Sequence, residues 1–119
     1  MNISLIKIDM KLNYADWNAT NSLAVSQKGK PAVYINNRLD FEGSHCFIWQ
    51  TVMDSLKQKM NGDEFYNSIP DLICGGLFFF DTMGEAREFF DIFTQNVVYD
   101  SPIYAQLYNA KGMRLMDNT

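Results

Sequence analysis

Cysteine is scarce in this chain: Cys46 and Cys74 stand alone, far apart, with no CxxC pair. That rules out a disulfide framework and argues against a zinc site. A single histidine, His45, leaves little material for imidazole chemistry. No apolar run approaches the ~18 residues a membrane span needs. From Met1 to Leu12 the charges of Lys7, Asp9 and Lys11 interrupt the apolar residues, which a secretory signal does not tolerate. No internal repeat, linker or low-complexity segment is visible. These absences lead to the expectation of one reduced, cytoplasmic domain over residues 1–119.

Aromatic residues, in contrast, are abundant. Nine Phe and six Tyr within a 47% hydrophobic composition give a chain this short enough buried area for a dense core. Charge is unevenly spread. Residues 1–60 carry seven Lys or Arg against five Asp or Glu, whereas residues 61–119 carry three against nine. An acidic patch of that kind repels phosphates and steers toward basic surfaces. A solvated, solubilising face is the plain alternative.

Hydrophobic spacing predicts the elements. Ile6, Ile8, Met10, Leu12 and Tyr14 alternate with polar residues, as a half-buried strand does. Ser22–Gln27 and Pro31–Asn36 flank Lys28-Gly29-Lys30 and read as a hairpin. Ser44 opens a helix to about Met60, stopped by Asn61-Gly62. Residues 63–72, with Phe65, Tyr66 and Pro70, show no clear period and read as a loop laid over the core or used for recognition. Ile73–Phe80 is an apolar strand covered on both faces, or nearly so. Thr82 and Glu85 have capping-box spacing, and Ala86, Phe89, Phe90 and Phe93 follow at i, i+3, i+4 and i+7. Ile103–Tyr108 and Met113–Met116 form the last two strands around the turn Asn109–Gly112. The expected fold is therefore α+β: a two-layer sandwich with one mostly antiparallel sheet and two helices on one face. Its order would be β-ββ-α-β-α-ββ, ferredoxin-like or related.

Few residues suggest chemistry. His45 and Cys46 are helix neighbours, and neighbours diverge by about 100°, so they do not make a nucleophilic pair. Gly75-Gly76 lacks the Lys and Ser/Thr of a phosphate loop. Tyr104 and Tyr108, with Arg114 alongside, have a base-stacking look, but the RNP pattern is missing and the overall charge has the wrong sign. No catalytic residue, metal or cofactor is expected. Glu85, Glu88 and Asp91 advance by three along one helical flank, with Asp81 just before its start.

These features predict a small, acidic, non-enzymatic protein-binding domain that blocks a basic, nucleic-acid-binding surface of a partner protein. Phage-encoded anti-defence inhibitors and immunity-type antitoxins work in this manner, and the comparison is by analogy. The expected contacts are Asp81, Glu85, Glu88 and Asp91, with Phe65 and Tyr66 as apolar anchors; neither direct nucleic-acid binding nor a membrane is expected. The alternative is a structural homo-oligomer using Tyr104, Tyr108 and Met116. A small-ligand or enzyme domain with its site at a dimer interface has the least support.

Overall fold

A computed structural model describes residues 6–7, 17–37, 44–74, 76–95 and 103–117. In chain order the elements are β1 (Ile6–Lys7), α1 (Trp17–Lys28), β2 (Ala32–Asn37), α2 (Ser44–Lys59), α3 (Gly62–Cys74), β3 (Gly76–Phe79), α4 (Met83–Gln95), β4 (Ile103–Tyr108) and β5 (Arg114–Asp117). The strands form one sheet in the order β1-β3-β2-β4-β5, every neighbouring pair antiparallel. Since β3 and β4 both run against β2, they are parallel to each other, and α4 carries the chain across β2 between them. β1 contributes two described residues at the edge.

The sheet is apolar on both sides, and this sets the layering. Alternate residues along a strand face opposite ways. Val33, Ile35, Phe78, Ala105 and Leu107 point into one core with Val52, Leu56, Phe65, Leu72, Ala86, Phe89, Phe90 and Phe93 from α2, α3 and α4, and with Met60 just past the end of α2. Ala32, Tyr34, Leu77, Phe79 and Tyr108 point the other way, into a smaller core with Ala24 and Val25 of α1. The α+β class and the antiparallel sheet are as expected. The expected pair of helices on one face is corrected to four helices among the described residues, of which α1 is the one on the second face.

Two segments differ from expectation for identifiable reasons. Ser22–Gln27 is not a hairpin strand but the second half of α1. Leu23 and Val25 look like a period-two pair, yet Val25 is buried while Leu23 is 59% exposed. Gly29 is the helix stop and not a hairpin turn: at φ 71° its N–H donates to the Val25 carbonyl at 2.9 Å, the left-handed C-terminal cap. Residues 63–72 are likewise not a loop but lie within α3. Asn61 caps it, its side-chain Oδ1 accepting from the Asp63 N–H at 3.0 Å and its carbonyl from the Phe65 N–H at 2.8 Å. Asp63 and Glu64 then occupy the dipole-favoured first turn. The expected strand Ile73–Phe80 begins only at Gly76, because α3 runs on to Cys74. Of the expected first strand, residues 8–14 lie outside the described region.

Backbone proximity fixes how α1 meets the sheet. Gly112, in the β4–β5 turn at φ 84°, lies so close to α1 that a Cβ would fall 2.2 Å from the Ser22 carbonyl oxygen. Gly29 has a similar φ but nothing within 4 Å of a built Cβ. Gly112→Ala should therefore lose roughly 2 kcal/mol or more, adding a backbone clash to the left-handed penalty, while Gly29→Ala should lose only about 1 kcal/mol. Urea unfolding of the two variants checks this ordering.

Asn21 is the buried polar exception. It is fully covered, and neither its Oδ1 nor its Nδ2 has a hydrogen-bond partner among the described residues. An unpaired buried amide costs about 1–3 kcal/mol, so Asn21→Leu should stabilise the protein by roughly 1–2 kcal/mol. A raised urea midpoint with unchanged slope would be the expected result.

Candidate protein-binding face

The seat of α4 is aromatic. Phe89 lies 5.7 Å from Phe78, 5.0 Å from Phe80 and 4.9 Å from Phe93, ring centroid to centroid, at tilts of 46–52°. Ala86, Phe89, Phe90 and Phe93 are all buried, which is the face the i, i+3, i+4, i+7 spacing predicts. Thr82 starts the helix: its carbonyl accepts from the Ala86 N–H at 3.2 Å, and its Oγ1 accepts from the Glu85 N–H at 3.2 Å. The same hydroxyl lies 3.2 Å from Glu85 Oε1, to which it donates. Thr82's half of the capping box read from the sequence is thus formed, and the Glu85 carboxylate meets the Thr82 hydroxyl.

The acids on the outer flank are engaged within the molecule. Asp81 meets Lys30 at 2.8 Å, Glu88 meets Lys59 of α2 at 3.0 Å, and Asp91 meets Arg87 at 3.1 Å, one helical turn away. Of these, only the Arg87–Asp91 pair is readable from sequence spacing. Lys30 and Lys59 come from the basic half of the chain, and only folding brings them to the acidic half. The acidic surface expected from composition is therefore a mixed-charge surface at α4.

On α3, the two aromatic neighbours separate. Phe65 is 4% exposed and belongs to the core, so it is withdrawn as a surface anchor. It is one member of the α3 inner face, with Ile69 and Leu72 at i+4 and i+7. Tyr66 is 58% exposed. Its ring stands edge-on to Phe65 at 5.3 Å, and Lys57 Nζ lies 5.7 Å from its centroid, within cation–π range. The end of α2 contacts both candidate regions from different sides, since residues two apart on a helix diverge by about 200°: Lys57 reaches Tyr66 on α3, and Lys59 reaches Glu88 on α4.

The residues of the homo-oligomer alternative also separate. Tyr108 is 1% exposed and its hydroxyl donates to Gln106 Oε1 at 2.5 Å, so it is a core residue and neither an interface nor a base-stacking platform. Met116 is 38% exposed on β5. Tyr104 lies in β4 opposite Asn36, its side chain outside the described region. His45 and Cys46 open α2, and their side chains are likewise not described. Gly76 begins β3 opposite Ile35, inside a ladder and not in a phosphate loop, while Gly75 falls outside the described residues. Among the described residues no three His, Cys, Asp or Glu are grouped to hold a metal ion, and no helix is long and apolar enough to cross a membrane.

Comparison of this small α+β domain with protein-family models, with curated proteins and with solved structures finds no match.

Thr82→Ala removes a cap that an aromatic-seated helix retains in every folded molecule, and should cost about 1 kcal/mol of stability. Glu88→Gln removes only a partly exposed ion pair and should change stability by well under about 1 kcal/mol. Denaturant midpoints of the two variants test whether α4 is held by its cap and core more than by its charges.

Proposed function

We propose that the protein is a non-enzymatic binding domain that docks through the outer side of α4 and Tyr66 of α3 onto a Lys- or Arg-rich surface of a partner protein. The observation that supports this reading is the linked arrangement of Tyr66, Lys57, Lys59 and Glu88 across α3, α2 and α4. Through α2, a large exposed ring and the acidic flank of the aromatic-seated helix α4 are held on one frame. A ring on a rigid frame loses little entropy when it is covered, and such residues act as interface anchors.

The ion pairs define the mechanism. Exposed pairs contribute about 0–1 kcal/mol each, so a partner's Arg or Lys readily replaces Lys30, Lys59 or Arg87 on Asp81, Glu88 or Asp91. Arg is favoured in that exchange because its planar fork holds a carboxylate with two hydrogen bonds. A partner that uses those cations for nucleic acid would be blocked by competition, as an inhibitor or immunity-type protein blocks its target. Charge then governs association rate and specificity, and Tyr66 the residence time.

The test is a tagged pull-down from native lysate, washed at low and then high salt, with the wild type beside the variant Glu85→Lys, Glu88→Lys, Asp91→Lys. The expected result is a stoichiometric, Lys- and Arg-rich partner that salt releases and the folded triple variant fails to capture. Equal capture by that variant, with its circular dichroism unchanged, overturns the proposal.

A further inference from the structure

Five large hydrophobic residues are conspicuously exposed among the described residues, and four of them lie in α1 or the β5 segment: Leu23 at 59%, Met113 at 60%, Leu115 at 47% and Met116 at 38%. The close approach of Gly112 to Ser22 and Ser26 brings the β4–β5 turn against α1, next to Leu23. Several exposed apolar side chains gathered toward one end of the sheet make that end a candidate interaction site. β5 also ends the sheet, so its outer edge has no strand beside it among the described residues.

Natural edges are commonly guarded by shortness, bulges or charges that repel a second strand, and β5 is both short and bulged. β5 carries one charge of each sign, Arg114 and Asp117, at its two ends. In a regular strand, residues three apart face opposite ways. Here the ladder is shifted: Asp117 is opposite Gln106, Met116 opposite Leu107, and Arg114 opposite Tyr108, leaving Leu115 as the extra residue of a bulge. Gln106 and Tyr108 share a face, so the bulge puts Arg114 and Asp117 on that same face, in keeping with their 3.8 Å contact.

We propose that two copies of this chain associate edge to edge through antiparallel β5 strands, about a two-fold axis that sets Arg114 of each copy opposite Asp117 of the other. A two-fold axis normal to a sheet keeps each side chain on its own face. The register is therefore allowed only because the bulge places both charges on one face. The strand is self-complementary: both charge pairs are opposite in sign, and Leu115 and Met116 lie together at the centre. Met113 and Leu23 extend the apolar contact beyond it. A four-residue edge buries little area, so the dimer forms and dissociates with concentration. This association goes beyond the α4 docking reading and does not depend on it.

Sedimentation of the wild-type chain over a range from roughly 1 µM to 1 mM is the first arm, with mass expected to rise toward twice 13.7 kDa. Arg114→Asp makes both cross-strand pairs acidic, and Asp117→Arg makes both basic. Each variant alone should self-associate about tenfold or more weakly than wild type, since opposed like charges destabilise a strand pair. An equimolar mixture of the two should recover the dimer, because every cross-strand pair is then opposite in sign. A wild type that stays monomeric throughout overturns the proposal. So does a wild-type dimer whose variants self-associate undiminished, or whose mixture gains no mass.

Discussion

The fold depends on one short apolar strand being covered from both sides. Leu77 and Phe79 point toward α1, and Phe78 and Phe80 toward α2, α3 and α4, all four at 3% exposure or less. With such a strand second from the edge, neither face of the sheet tolerates water, and helices must be supplied to both. Phe89 is the counterpart. It contacts Phe78 and Phe80 at once, so α4 is oriented by the strand that precedes it before it carries the chain over β2 to β4. Local sequence and long-range topology agree here, which is what gives a chain one dominant arrangement.

The parts of the chain that were legible are those where hydrophobic period, cap and stop agree. In α4 the Thr82 cap, the first-turn Glu85 and the Phe89–Phe93 face all indicate the same helix, and the same holds for the alternation in β4. The illegible parts carry conflicting signals. In α1, Asn21 is buried and Leu23 exposed, an inversion of the helical pattern, and Gly29 serves a helix cap as readily as a hairpin. In α3, Pro70 breaks the expected pattern, while Asn61 both ends one helix and begins the next. The doubly covered reading of Ile73–Phe80 already conflicts with a two-layer sandwich. A strand buried on both faces requires a third layer, and α1 is that layer.

The candidate site was legible to a different degree. Sequence spacing identifies which acids share the α4 flank, because that depends on helix geometry alone. It gives no view of Lys30 and Lys59, whose partners Asp81 and Glu88 are distant in sequence. Nor does it separate Phe65 from Tyr66, since adjacent aromatics in an unassigned segment look alike until the helix phase is known. Once Phe65, Ile69 and Leu72 define the inner face of α3, Tyr66 must face outward.

Folding also changes what net charge means for this protein. The halves of the chain differ by sign in sequence, which suggests a strong acidic field over the second half. In three dimensions cations of the first half close onto acids of the second, and Arg87 offsets Asp91 within α4 itself. Steering by a long-range field weakens as such pairs form, because opposite charges a few ångströms apart appear as a dipole at a distance. On the proposed reading, recognition at α4 relies on contact geometry: which cation reaches which carboxylate, and whether an apolar surface covers Tyr66. A surface of paired charges discriminates better than a uniformly acidic one, since a partner must match the positions of the cations it replaces and not merely their sign.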